Sequence, residues 1–180
     1  MYFININFIN IYKVFVDNNK YIIFIFKKYM LFYGGFMENQ NLNILDEINK
    51  GATMGMDAIS YISDKVSDYD FKEVLNTEYN KYKKISKRVN DLYSNYTDQE
   101  PHKTNTMNKI MTWYGIQMNT MTDDTISKLS ELLMQGTNMG IIEGRRLLNQ
   151  NESASLDVKN ILNDFVVMQE DSVETLKKYL

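Results

Sequence analysis

The chain has 180 residues, no cysteine and a formal net charge of −3, so we expect one ordinary domain with a buried core and without disulfides, a thiolate metal site or a cysteine nucleophile. The acidity argues against nucleic-acid binding, because contacts between phosphates and basic side chains supply most of the non-specific affinity. We therefore expect a cytoplasmic protein with no nucleic-acid partner.

Residues 1–36 differ in composition from the rest of the chain. Of these residues, 28 are Phe, Ile, Asn, Tyr or Lys, whose codons begin with two A/T bases, and an AT-rich intergenic region reads this way when it is translated. Gly34 and Gly35 can encode a purine-rich ribosome-binding site just upstream of Met37. We therefore predict that residues 1–36 are a mistranslated leader and that Met37 is the initiator.

Residues 37–180 then form the working domain, a helical bundle. Removing four Lys and one Asp with the leader leaves 16 basic against 22 acidic residues, a charge of −6. The alternative for residues 1–36 is a disordered or apolar extension that serves in export or membrane attachment. Lys27 and Lys28 divide its apolar runs, whereas a spanning helix needs about 20 mostly apolar residues. We therefore expect no membrane association unless residues 1–36 are translated.

Regular apolar spacing from Asn43 onward predicts four helices. Apolar residues recur at steps of three and four, which places them in one stripe on a helix. The stripes cover residues 45–66, 71–92, 126–147 and 158–176. Asp70 is the expected N-cap of the second helix, and Asp123 or Asp124 that of the third. Residues 149–155 read as the turn between the third and fourth helices.

Two sequence matches relate the first pair of helices to the second. Residues 51–56, Gly-Ala-Thr-Met-Gly-Met, match residues 136–141, Gly-Thr-Asn-Met-Gly-Ile; residues 72–76, Lys-Glu-Val-Leu-Asn, match residues 159–163, Lys-Asn-Ile-Leu-Asn. The matches predict two repeated helical hairpins packed about a pseudo-twofold axis. Because Gly costs about 1 kcal/mol in a helix interior, the paired glycines predict a close approach of the first and third helices.

Such packing makes the second and third helices run in the same direction, which requires a long crossover. Residues 94–124 are long enough to supply it, because an extended chain covers about 3.3 Å per residue. Its first part holds the only Pro and reads as a loop. Apolar spacing from Met107 to Met121 predicts a short amphipathic helix within the crossover.

Duplicated hairpins joined by a long crossover resemble the ferritin-like four-helix bundles. Over residues 43–180 the chain is similar to a family of uncharacterised bacterial ferritin-like proteins, frequent in low-GC anaerobes and spore formers, with Gly-x-x-Met-Gly-Ile in the third helix, as at residues 136–141. The resemblance implies that residues 37–180 form an all-α, ferritin-like helical bundle with a stress- or sporulation-associated role. Ferritin-like enzymes hold two metal ions with one Glu from each of two helices and a Glu-x-x-His from each of the others.

The chain departs from that ligand pattern. Glu78 is followed by Lys81 where the pattern requires His, and the aligned stretch of the fourth helix is residues 165–168, Phe-Val-Val-Met. The only His in the sequence, His102, lies in the crossover loop. We therefore expect no conventional di-iron site, no catalytic residue, no metal ligand and no cofactor.

Glu78 is nevertheless a candidate site residue, because its spacing places a carboxylate in the core stripe of the second helix. It could bind a metal with Glu143 of the third helix, joined by Asp57 or Glu170. The alternative, which we favour, is that Glu78 is hydrogen-bonded to Tyr82 or another bundle residue, or tilts to the rim of the bundle, because buried acids generally need such a partner.

Two further surfaces are candidates for binding a partner. A basic cluster interleaved with Tyr79 and Tyr82 could meet an anionic partner: Lys81, Lys83, Lys84, Lys87 and Arg88. An apolar stripe in the crossover could meet a protein: Met107, Met111, Trp113, Tyr114, Met118 and Met121. We interpret the first as a solvated helix face, given the charge of −6, and the second as a cover for the bundle core.

The sequence thus predicts a non-catalytic helical-bundle protein with a structural or protein-interaction role. Self-association or another protein is the expected partner. The alternative is a metal-binding or oxidoreductase ferritin-like protein that uses an unconventional carboxylate site at Glu78 and Glu143.

Overall fold

The computed structural model describes the backbone of residues 19–101 and 125–180, and within these ranges the side chains from residue 38 onward. Its elements are α1 (Asn19–Ser63), α2 (Tyr69–Tyr93), α3 (Ile126–Gln150), α4 (Leu156–Leu176) and a 3-10 turn (Lys177–Tyr179). Those two ranges contain no strand, so the prediction of an all-α bundle is confirmed. The predicted short helix of the crossover, His102 and the methionine stripe lie outside the described residues.

The chain divides into two units, Met1–Asn39 and Gln40–Leu180. Helix α1 is continuous through Met37, and the start of translation at that residue stays a prediction. In the part of the chain that is described, no helix has both the length and the apolar character that crossing a bilayer requires. All of the described side chains that are buried lie in the second unit.

The predicted apolar stripes supply most of that core. On α2 every stripe residue from 71 to 89 is buried, including Glu78. The buried stripe residues within α1 and α4 are Leu45, Ile48, Ala52, Ile59, Ile62, Val158, Leu162, Phe165, Val166, Val173 and Leu176. Val66, the last residue of the first predicted stripe, is also buried but lies beyond the end of α1 at Ser63. The stripe of α3 is less complete, because Ile126, Gly136, Gly140 and Leu147 are only partly buried. The last three of these residues line a cavity.

The N-caps of α2 and α3 differ from the predicted ones. The N-cap of α2 is Asp68 rather than Asp70: its backbone is extended, and its carboxylate accepts a hydrogen bond from the Phe71 N–H at 2.7 Å. Asp70 instead lies in the first turn of α2. Thr125 caps α3, accepting from the Lys128 N–H at 3.3 Å, and the predicted Asp123 and Asp124 lie outside the described residues.

Hydrogen bonds at one end of the bundle establish the directions of the helices. Gln40 Nε2 donates to Asn151 Oδ1 at 2.8 Å, and the Ser155 N–H donates to Asn41 Oδ1 at 2.9 Å. The Tyr96 hydroxyl lies 3.0 Å from Ser155 Oγ. The second unit's part of α1 and helix α4 therefore begin at this end, where α2 and α3 finish. Helices α2 and α3 run in the same direction, so residues 94–124 connect opposite ends of the bundle.

The repeated glycines pack against side chains rather than against each other. A Cβ atom on Gly55 would lie 2.7 Å from Tyr82 Cζ of α2, and one on Gly51 would lie 3.0 Å from Phe165 Cζ of α4. On α3, a Cβ atom on Gly140 would lie 3.0 Å from the Gln169 Cδ of α4. The glycines are packing sites as predicted, but these contacts join α1 and α3 to α2 and α4.

Candidate functional site

A cavity of about 570 Å³ lies among the four helices of the second unit. Its walls are mostly apolar and include Ile48, Ala58, Leu133, Leu162, Phe165 and Leu176. Glycines line it on α1 and α3, namely Gly51, Gly55, Gly136, Gly140 and Gly144. The volume lies within the roughly 300–1,000 Å³ that small-molecule sites occupy.

Five buried polar side chains line one part of this cavity, and we call them the polar cluster. They are Glu78 and Tyr82 of α2, Thr137 of α3, and Gln169 and Ser172 of α4. None of the five is more than 8% exposed. Because a buried polar group is unfavourable unless it is hydrogen-bonded, the partners of each one show what this arrangement can do.

The Glu78 carboxylate is neutralised by a neighbour on its own helix. Its Oε1 accepts a hydrogen bond from Lys81 Nζ at 2.6 Å, and its Oε2 accepts one from the Ser172 hydroxyl of α4. Residues three apart on a helix lie on the same side, so α2 places the ammonium beside the acid without any contribution from another helix. The Glu78 side chain is 3% exposed and that of Lys81 is 32% exposed. The ammonium therefore reaches inward from the surface to a buried carboxylate.

Tyr82 joins the polar cluster to the apolar core. Its ring packs edge-on against Phe165, with centroids 6.2 Å apart. Burial raises the pKa of the Tyr82 phenol, hydrogen bonds with Thr137 and Gln169 lower it, and the negative charge of Glu78 raises it. The net shift is upward, so the folded protein favours the neutral phenol.

This shift predicts a loss of stability in alkali. A neutral phenol is kept in the fold, whereas unfolded Tyr82 releases its proton near pH 10.0, so the unfolded state gains stability as the pH rises past that value. We expect Tyr82→Phe to lose less thermal stability than the parent between about pH 8 and about pH 11. Burial also raises the pKa of Tyr93, so a smaller loss remains. Tyr69→Phe, at a tyrosine that is 74% exposed, is the control; identical curves for all three proteins would contradict the assignment.

Gln169 has one unmatched polar atom. In the described part of the chain, its buried Oε1 accepts no hydrogen bond. The neighbouring Thr137 hydroxyl donates to the Leu133 carbonyl at 2.9 Å, so its proton is already engaged. Among the described residues, Ser130 Oγ is the other buried side-chain N or O atom without a hydrogen-bond partner.

Sequence reasoning missed Gln169 and Ser172, although the signal was present. They continue the three-and-four spacing of α4 from Leu162 and Phe165 to Leu176. A search for apolar residues at that spacing does not include Gln and Ser, so it missed both. The sequence alignment set residues 165–168 of α4 against Glu78 and Lys81. The structure instead places Ser172 against the Glu78 carboxylate.

The other candidate carboxylates have surroundings that differ from those of Glu78. Glu143 lines the same cavity but is exposed and forms an ion pair with Arg146. Glu170 pairs with Arg145, whose Nη2 lies 2.8 Å from Glu170 Oε1. Burial raises the pKa of Asp57, which is partly buried on α1. Among the described residues, no three His, Asp or Glu side chains are grouped closely enough to hold a metal ion.

Two of the five residues in the basic cluster form ion pairs with carboxylates. Lys81 pairs with Glu78, and Arg88 Nη2 lies 2.7 Å from Asp164 Oδ2 of α4. The remaining cations are exposed on α2: Lys83, Lys84 and Lys87. Tyr82, which the sequence interleaves with these cations, is buried in the core. It is therefore not on the surface where a nucleic-acid base could stack.

Comparisons with protein-family models, with curated proteins and with solved structures gave no match. Function is therefore argued from the polar cluster and the cavity.

Proposed function

We propose that this chain is a non-catalytic ferritin-like four-helix bundle in which an internal ion pair stands in place of a di-metal centre. Its role is structural or in protein interaction. The observation that carries the proposal is the 2.6 Å contact between Lys81 Nζ and Glu78 Oε1. Ferritin-like enzymes place a His three residues after a ligating Glu, and its neutral nitrogen donates a lone pair to the metal.

A lysine at that position has the opposite chemistry. A protonated ammonium has no lone pair, and its positive charge repels a second cation from the same carboxylate. Ser172 already donates to the other oxygen of Glu78. Both oxygens therefore have protein partners before any metal arrives, and displacing the ammonium would leave it without its counter-ion.

The helix directions support the ferritin-like part of the proposal. Ferritin-like bundles have one long crossover, and here α2 and α3 run in the same direction, with residues 94–124 between them. Polar side chains of both α2 and α4 also line the cavity: Glu78 and Tyr82 on α2, and Gln169 and Ser172 on α4. Residues 72–76 of α2 and 159–163 of α4 are one of the two matched pairs in the predicted repeat.

Metal analysis tests the proposal. We expect no stoichiometric iron or manganese in protein purified aerobically without chelator, and no ferroxidase turnover above buffer, because the Lys81 ammonium competes with any cation for Glu78. Elemental mass spectrometry and an iron-oxidation assay measure both. Two tightly bound metal ions per chain, lost in Glu78→Gln or Glu143→Gln, would favour the metal-binding or oxidoreductase alternative.

We propose that the binding partner of this chain is a second copy of the same chain. Met139 is 66% and Ile142 59% exposed on α3, and residues three apart share a helix face. Burying such side chains between two copies is favourable. We expect Ile142→Lys to lower the molar mass measured by light scattering, while Leu156→Lys, at a site 70% exposed on α4, leaves it unchanged. A monomeric parent protein would contradict this proposal.

A further inference from the structure

The cavity of about 570 Å³ and the unmatched Gln169 oxygen belong to the same part of the bundle. We propose that the cavity binds an uncharged small molecule with a largely apolar body and one hydroxyl or N–H group, which donates a hydrogen bond to Gln169 Oε1. This inference goes beyond the proposed function, since a structural or interaction protein needs no internal ligand.

The apolar walls of the cavity are the reason that we expect the ligand to have an apolar body. Leu133, Leu162 and Phe165 contribute aliphatic and aromatic surface from α3 and α4, and Ile48 and Ala58 contribute it from α1. Walls of this kind favour an apolar ligand, because its binding removes apolar surface of both the ligand and the walls from water.

The Gln169 amide is the reason that we expect the ligand to carry a hydrogen-bond donor. Its Oε1 is buried and accepts no hydrogen bond from any described residue, which is unfavourable for a carbonyl oxygen. Three of the donors in the polar cluster and beside it are engaged elsewhere: Thr137 donates to a backbone carbonyl, and Lys81 and Ser172 donate to Glu78. Gln169 also hydrogen-bonds to Tyr82, and because its Oε1 has no partner, that bond involves the amide nitrogen.

The ion pairs around the cavity are the reason that we expect an uncharged ligand. Glu78 is paired with Lys81 inside. At the rim, Lys50 Nζ lies 3.1 Å from Glu47 Oε2, and Glu143 is paired with Arg146. A charged ligand would lose its hydration without finding an unpaired counter-charge there. An uncharged donor meets no such penalty.

Two isomeric probes test the proposal on the full chain. 1-Decanol and nonyl methyl ether have the same formula, but only the alcohol has an O–H donor. Isothermal titration calorimetry is expected to show both binding, the alcohol about tenfold more tightly, as one hydrogen bond to an otherwise unmatched acceptor allows. Gln169→Met keeps the length of the side chain and removes the acceptor. The preference for the alcohol should disappear in Gln169→Met and persist in Gln135→Met, which makes the same substitution at an exposed residue of α3.

Failure of either isomer to bind the parent protein, or an alcohol preference that survives in Gln169→Met, would overturn the proposal. If circular dichroism shows that Gln169→Met does not fold, Ala58→Leu replaces it, since its larger side chain enters the cavity from α1. That variant should bind both isomers at least tenfold more weakly, and unchanged affinity would overturn the proposal. A compact naphthyl alcohol, tested beside the linear alcohol, shows whether the apolar body is a ring or a chain.

Discussion

Replacing Lys81 with Met is expected to destabilise the protein by about 3 kcal/mol, because it leaves the Glu78 carboxylate buried without its counter-ion. Removing one partner of a buried ion pair costs about 3 to 5 kcal/mol. The lower end applies because the Lys81 side chain is 32% exposed and Ser172 still donates to Glu78. Equilibrium unfolding in urea measures the loss.

Two companion variants separate the ion pair from a general effect of losing a surface charge. Lys84→Met makes the same change at an exposed position of α2 and should alter stability by no more than about 0.5 kcal/mol. The double variant Glu78→Gln, Lys81→Met removes both charges and should recover part of the loss. Together with the single variant Glu78→Gln it completes a double-mutant cycle, which gives the coupling energy. A Lys81→Met variant as stable as Lys84→Met would show that the carboxylate is hydrated and not held by the ammonium.

Gly55→Ala is expected to destabilise the bundle by about 1 to 3 kcal/mol, although alanine is the better helix former by about 1 kcal/mol. The new Cβ atom would lie 2.7 Å from Tyr82 Cζ, and the ring cannot simply move away, because it is buried and packed against Phe165. Thermal and urea unfolding measure the change. Stabilisation by this substitution would mean that α1 and α2 pack in a different register.

Gly140→Ala is the matched control for Gly55→Ala. Its new Cβ atom would meet the amide at the end of the Gln169 side chain, which is flexible and lies beside the cavity. The amide can shift into that space, so the gain in helix propensity offsets more of the strain. We expect Gly140→Ala to remain within about 1 kcal/mol of the parent.

The helices and the burial of Glu78 could be predicted from local spacing. Steps of three and four identified the stripe from Phe71 to Val89 and placed Glu78 within it, and all of its members are buried. The prediction that Glu78 bonds to a bundle residue is also confirmed, but its partners are Lys81 and Ser172. Ser172 lies 94 residues away, and no periodicity within one helix states which residues of another helix will face it.

The cavity could not be predicted, for a related reason. The repeated glycines were expected to let α1 and α3 approach closely, because a helix interior rarely holds glycine without a packing function. Spacing shows that Gly55 and Gly140 lie on inward faces, but not how far apart those faces are. Bulky neighbours, Tyr82 and Phe165 on the flanking helices, occupy the space beside the α1 glycines, and a cavity lies among the four helices.

The central claim is that an ion pair between Glu78 and Lys81 occupies the place of a metal centre. The most direct test is a crystal structure of the full chain, from crystals grown with excess manganese. Anomalous diffraction then locates any bound metal. The account predicts Lys81 Nζ within hydrogen-bonding distance of Glu78 Oε1, as it is at 2.6 Å here, and no anomalous peak at that carboxylate. A manganese ion coordinated by Glu78, with the Lys81 side chain turned to solvent, would contradict it.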